Sequence, residues 1–171
     1  ELRLVGSEMC IRDRYGADSA RLFILSDSPP EKDVQWSDEG IASSYKFIQK
    51  LWSLNEKVIH EIEQNHEEDE GKDLIKFTNK YLKKMTDALN AFSYNILIAN
   101  LHEMQNFFNK ELIKKYTKKT LTENFSKILV TMIPIIPHLA NECLKRINYN
   151  VIEWPEYDET LLAVSYTHLT L

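Results

Sequence analysis

Between Ile41 and Ile62 the apolar residues Ile41, Tyr45, Ile48, Leu51, Trp52, Val58, Ile59 and Ile62 recur at steps of three and four, with Asn55 bridging the one gap. At 3.6 residues per turn an α-helix puts that set on one face, so the spacing predicts an amphipathic helix of six or more turns. Ser37 and Asp38, just ahead of it, are N-cap candidates. The same period returns downstream. A second helix is predicted from about Asp73, with Leu74, Ile75, Thr78, Leu82, Met85 and Leu89 on its apolar face. Its lysines, Lys72, Lys76, Lys80, Lys83 and Lys84, fall on other faces. A third runs from Phe92 to Phe108 through Ile96, Leu97, Leu101 and Met104. After a basic connector, Lys110 to Lys119, Thr120 and Thr122 are expected to cap a fourth through Phe125, Ile128, Leu129 and Met132. Pro134 and Pro137 then separate it from a last helix containing His138, Leu139, Cys143, Leu144 and Ile147.

Upstream, Tyr15 to Ser28 predicts a short helix around Leu22, Phe23 and Leu25, stopped by Pro29 and Pro30 and followed by an extended segment through Val34 and Trp36. Glu61 to Glu70 holds six carboxylates and no lysine and reads as a frayed helix end and solvated loop. The fold class expected is all-α: an antiparallel bundle of four to five helices preceded by a short helix and extended connector. With 171 residues, 43% of them hydrophobic, the chain can build one core. Four glycines and no Gly-x-Gly-x-x-Gly or Walker-type loop argue against a self-contained nucleotide-using enzyme. No apolar run reaches the ~18 residues of a membrane span, and the N-terminus lacks a signal-peptide plan, so the chain reads as soluble and intracellular.

The two ends match each other in an unusual way. Met9-Cys10-Ile11-Arg12-Asp13 can be encoded as ATG TGT ATA AGA GAC, whose reverse complement translates as Val-Ser-Tyr-Thr-His, the residues Val164 to His168. Inverted copies at the extremities look like a sequencing adapter read through as protein. Residues 1–14 and 163–171 are accordingly expected to be adapter-derived tails. Cys143 is then the one native cysteine, which leaves no disulfide and fits a reducing compartment. His60, His66, His102 and His138 show no metal-ligand spacing and read as solvated or core residues.

Charge is segregated. From Lys72 to Lys119 ten lysines face Asp73, Asp87, Glu103 and Glu111, a local balance of +6 in a chain whose total is −5. Such a face can follow a phosphate backbone; it can equally be a solvated surface that keeps a bundle soluble.

Three stretches near the start, Tyr15-Gly-Ala-Asp-Ser-Ala-Arg-Leu-Phe, Ser28-Pro-Pro-Glu-Lys-Asp-Val-Gln-Trp-Ser-Asp38 and Tyr45-Lys-Phe-Ile-Gln-Lys-Leu-Trp52, closely resemble leucyl-tRNA synthetases of the bacterial type. Leu82-Lys-Lys-Met-Thr-Asp87, Phe92-Ser-Tyr-Asn-Ile-Leu-Ile-Ala99, Ile135-Ile-Pro-His-Leu-Ala-Asn-Glu142 and Trp154-Pro-Glu-Tyr-Asp-Glu159 agree in order and spacing. The resemblance implies a piece of a longer class Ia enzyme. Residues 15–40 would be the connector that follows the catalytic loop, 41–150 the anticodon-binding-type bundle, and 151–162 a Trp-Pro linker toward a further domain. It implies a cytoplasmic parent that joins leucine to its tRNA with ATP and magnesium. The bundle itself would bind neither cofactor and hold no catalytic residue. Its partners would be leucine-accepting tRNA and the rest of the synthetase, with no DNA and no membrane. The tRNA-binding candidates are Lys46, Lys50, Lys80, Lys83 and Lys84, expected to form one ridge if the first two long helices pack together. Two departures stand out. Lys46 occupies a position where the family usually has arginine, which loses bidentate phosphate geometry. Cys143 replaces an aliphatic or other residue and reads as a small core side chain. The rival reading is a structural or protein-interaction bundle with no nucleic-acid role.

Overall fold

The computed structural model describes residues 13–27, 35–64, 70–151 and 153–162. Of the expected tails 1–14 and 163–171, all but Asp13 and Arg14 lie outside the described residues, as do Pro29, Pro30 and the extended segment through Val34, and the acidic stretch 65–69 with His66; Trp36 is described and is non-helical.

From Ala17 on, the α-helices among the described residues are, in order, α1 Ala17–Asp27, α2 Asp38–Gln64, α3 Lys72–Asn90, α4 Tyr94–Glu111, α5 Lys118–Met132 and α6 Pro137–Arg146. Short 3₁₀ turns occupy Leu112–Lys114 and Glu159–Leu162, and no strand occurs among the described residues. The all-α bundle expected from periodicity is the observed architecture.

The start of α2 is fixed by Ser37, whose Oγ accepts the Gly40 N–H at 3.1 Å while its carbonyl accepts the Ile41 N–H at 3.1 Å. Over its 27 residues α2 buries Ile41, Phe47, Leu51, Leu54, Val58 and Ile62, with Asn55 among them. Tyr45, Ile48, Trp52 and Ile59 lie half-buried at the edges of that stripe. The turn after α3 is a Schellman motif: Ser93 N–H reaches Ala88 O and Phe92 N–H reaches Leu89 O, at 2.9 and 3.0 Å. Phe92 takes the left-handed position there, φ 52°, where glycine is usual, so it lies in the turn and not in α4.

Two further boundaries differ from the sequence reading. The basic connector is shorter, because α4 runs on to Glu111 and α5 already begins at Lys118. The α5 cap is Thr117, which accepts the Thr120 N–H at 3.4 Å. Thr120 sits inside the first turn and donates its hydroxyl to Glu70 O at 3.3 Å, tying α5 to the entry of α3.

The four long helices occupy the corners of a square. α2 packs on α4 and α5, α3 packs on the same two, and α2 and α3 face each other across the diagonal. Contacts across α3 and α4 run in opposite directions, Phe77 on Phe107 and Lys84 on Glu103. Those across α2 and α4 rise together, Phe47 on His102, then Lys57 opposite Asn109, so these neighbours run parallel. Inside the square Leu74, Met85, Leu101, Met104, Phe108 and Ile128 are sealed from solvent. Truncating any of these aliphatic side chains to Ala would cost about 2–5 kcal/mol. Residues 153–162 return along α3, where Trp154 Nε1 donates to Thr86 Oγ1 at 2.9 Å and Asp158 N–H to Asn79 Oδ1 at 2.7 Å. No helix among the described residues is long and apolar enough to cross a membrane.

Candidate nucleic-acid interface

Lys46, Lys50 and Lys57 step along α2 at intervals of four and seven, which stacks them on one exposed face of the helix. Along the axis Lys46 and Lys50 are about 6 Å apart and Lys57 lies roughly 10 Å further on, at 1.5 Å per residue. Because α4 runs parallel beside them, this face becomes one wall of a trough. Its upper part, about 550 Å³, is lined by Lys46, Lys50 and Lys57 from α2 and by Gln105, Asn106 and Asn109 from α4. It continues through the shared Lys57 and Asn109 into a space of about 430 Å³ bounded by Leu112, Lys115 and one carboxylate, Glu61. Lys115 enters from a left-handed position, φ 53°, directly after the 3₁₀ turn.

Lys46, Lys50, Lys57 and Lys115 make no ion pair among the described residues. Glu61 is the one described carboxylate in the lining of the trough, against four lysines, so the trough is cationic. At its upper rim the imidazole of His102 lies against Phe47, ring centroids 3.8 Å apart. Burial first, and then the nearby Lys50 ammonium, hold His102 below its ordinary pKa of 6.5.

Of the five lysines singled out in the sequence, Lys46 and Lys50 lie in this trough. Lys80, Lys83 and Lys84 do not, because α4 stands between α2 and α3, and the expected common ridge is not formed. Lys83 bonds Asp87 at 2.6 Å and Lys84 bonds Glu103 at 2.5 Å, both at the surface. The Asp87 hydrogen bond raises the Lys83 pKa further above neutrality. Lys80 is exposed and without an ion pair among the described residues. Sequence reasoning misses Lys57, Lys115 and Gln105. A signal for Lys57 is present, since the spacing that defines the apolar stripe also places it beneath Lys46 and Lys50.

A larger cleft, about 630 Å³, opens between α1, α2 and α6. Its lining includes Trp52, Ile48 and Leu139 with the carboxylates of Asp18 and Glu142, and no lysine or arginine, so its fixed charge disfavours a phosphate. Its edge carries the joint that fixes α1 to the bundle. Asp18, in the Tyr-Gly-Ala-Asp stretch, is buried and accepts the Leu139 N–H at 2.7 Å and the His138 N–H at 3.3 Å. It thus caps α6 from 120 residues away, with His138 Nδ1 2.8 Å from the same carboxylate. Three residues on, Arg21 donates to Ile135 O at 3.0 Å and Pro134 O at 2.7 Å. One turn of α1 therefore satisfies both sides of the α5–α6 elbow.

Cys143 is sealed in the core and its thiol is pushed up to about 12 by burial, the behaviour of a packing residue. Among the described residues no three metal-ligating side chains converge.

The family described as the anticodon-binding domain of tRNA ligase matches residues 71–170. Similar curated proteins include the leucine–tRNA ligase of Fusobacterium nucleatum, 32% identical over 176 residues, and that of Granulibacter bethesdensis, 36% identical over 168 residues. The alignments cover 93% and 90% of this chain and 20% and 19% of those proteins. The leucine–tRNA ligase of Wolbachia pipientis is 37% identical, with 89% and 19% covered. The chain thus spans about one fifth of the length of the curated relatives it matches. Its fold is shared with a crystal structure of the ternary complex of Agrobacterium radiobacter K84 agnB2 LeuRS, tRNA and LeuAMS. There the TM-score is 0.78 at 18% identity, covering 91% of this chain and 21% of that one. By the extent of the family match, this chain belongs to the anticodon-binding domains of tRNA ligases.

Proposed function

We propose that this bundle is the tRNA-docking part of a cytoplasmic leucine–tRNA ligase and that the α2–α4 trough follows the RNA backbone. The observation that carries the reading is the row of three lysines on α2, continued by Lys115 just beyond α4, none of them in an ion pair among the described residues. The leucine–tRNA ligases similar to this chain and the tRNA-bound complex that shares its fold support it. Lys46 and Lys50 contact phosphates there, joined by Lys57 and Lys115. Lys80, Lys83 and Lys84 form a separate, weaker cationic surface on α3, since two of the three already neutralise neighbours. Domain boundaries follow the same reading: 15–40 connects from the catalytic part, 41–150 is the docking bundle, and 151–162 leads onward. Residues 1–14 and 163–171 remain proposed adapter tails.

Lysines serve this task because an ammonium is a point charge that tolerates any phosphate orientation, giving grip without reading sequence. The Asp18 and Arg21 joint completes the device, since it makes the connector and the bundle move as one. ATP and magnesium belong to the parent reaction. The chain spans about one fifth of the length of its leucine–tRNA ligase relatives, and leucine activation is assigned to other parts of the longer protein.

The test is fluorescence anisotropy of the purified chain with labelled leucine-accepting tRNA. Binding that weakens steeply as salt rises is expected. Absence of RNA binding at low salt would favour a protein-interaction bundle instead. Leucine-dependent pyrophosphate exchange should be absent.

A further inference from the structure

Gln105 stands apart among the groups that line the trough. It is 8% exposed and lines the trough with Lys50 and Lys57, and its amide makes no hydrogen bond to the described residues, so its polar end is open to whatever fills the trough. Most of the side chain is held by packing, so the amide is positioned toward the trough and can exchange solvent for a ligand without rearranging. The exposed side chains of Gln49, Asn106 and Asn109 line the same space and likewise make no hydrogen bond to the described residues, so four amides are open to the trough.

Phosphate oxygens only accept hydrogen bonds, so lysines suffice for them. An amide offers both a donor and an acceptor, the complement of a hydroxyl, which also does both. On a nucleic-acid strand the sugar group with that property is the ribose 2′-hydroxyl, present in RNA and absent from DNA. We infer that the Gln105 amide, with Asn106 and Asn109 beside it, binds ribose 2′-hydroxyls between lysine-held phosphates, so that the trough selects an RNA strand over DNA of the same sequence. This rests on the reading of the trough as a backbone-binding surface and adds the specificity to it. The parallel arrangement of the walls supports it, because cations on α2 and amides on α4 then advance together along one strand.

The experiment compares anisotropy titrations of the 171-residue chain with an RNA hairpin and a DNA hairpin of identical sequence at one salt concentration. The wild-type chain is expected to prefer RNA about tenfold, equivalent to ~1.4 kcal/mol. Gln105→Met keeps size and packing. It should weaken RNA binding about five- to tenfold while leaving DNA binding and the salt slope unchanged. The exposed pair N106A/N109A, which leaves the core untouched, should show the same selective loss. Equal binding of both hairpins by wild type would overturn this inference and leave the backbone reading standing. Equal losses for RNA and DNA in both variants would also overturn it. Binding of neither hairpin by wild type would overturn both readings.

Discussion

Replacing Asp18 by Ala removes one carboxylate that three groups of α6 share: the Leu139 N–H at 2.7 Å, the His138 N–H at 3.3 Å and His138 Nδ1 at 2.8 Å. Loss of an N-cap costs about 0.5–2 kcal/mol, and an ionised acceptor makes each hydrogen bond stronger than a neutral one. Asp18 is 7% exposed, so water restores the freed N–H groups poorly. A destabilisation of about 2–4 kcal/mol is expected for Asp18→Ala. Asp18→Asn keeps an acceptor oxygen and loses the charge at the helix N-terminus, which places it at about 1–2 kcal/mol. His138→Ala removes only an imidazole whose side chain is 75% exposed, and should cost under about 1 kcal/mol. Urea unfolding followed by circular dichroism reads all three as shifts in midpoint at constant m. An Asp18→Ala chain within ~0.5 kcal/mol of wild type would refute the claim that this carboxylate holds α1 to the bundle.

Gly40→Ala drives a Cβ into the Phe23 ring, closer than carbon atoms approach, and that ring is also packed edge-to-face with Trp36, centroids 5.2 Å apart. Overpacking of about 1–3 kcal/mol is expected in the same urea assay, and a neutral result would mean that α1 and α2 are not closely packed. Cys143 should resist thiol reagents at pH 8 until the chain is unfolded; rapid native labelling would contradict its burial. His102 binds its proton less readily in the folded chain than in the unfolded one. Its contribution to stability is therefore full above pH 6.5 and is lost as pH falls from 6.5 through the lower folded value. His102→Gln should flatten that acid limb, and an unchanged profile would refute the assignment.

The helices are legible in the sequence because their signal is local. The stripes of α2, α3 and α4 are each a 3.6-residue rhythm that the chain writes without reference to any other element. Ends are less legible: the Thr117 cap precedes two lysines that blur into the basic connector, so spacing alone starts α5 late. The interface is half legible for the same reason. Lys46 and Lys50 share one helix and can be found together. Lys115 and Gln105 reach the trough only because α4 packs parallel to α2, a fact of tertiary arrangement that no spacing encodes. Joining Lys80, Lys83 and Lys84 to them requires consecutive helices to be spatial neighbours. The bundle instead puts α2 and α3 on a diagonal, and Glu103 of α4 takes Lys84. The Asp18 cap spans 120 residues, and the aspartate gives no local sign of its partner.

The most direct test of the account is the salt dependence of tRNA binding in two variants of the full chain. One carries Ala at Lys46, Lys50, Lys57 and Lys115, the other at Lys80, Lys83 and Lys84, each verified as folded by circular dichroism. Each phosphate that the protein no longer neutralises should reduce the slope of log affinity against log salt by about 0.7–0.9, so the trough variant should flatten by roughly three units. The α3 variant should flatten by less than about one unit, since two of its three lysines are already engaged by carboxylates. An unchanged slope in the trough variant, or a larger change in the α3 variant, would contradict the assignment of the α2–α4 trough as the RNA-binding face.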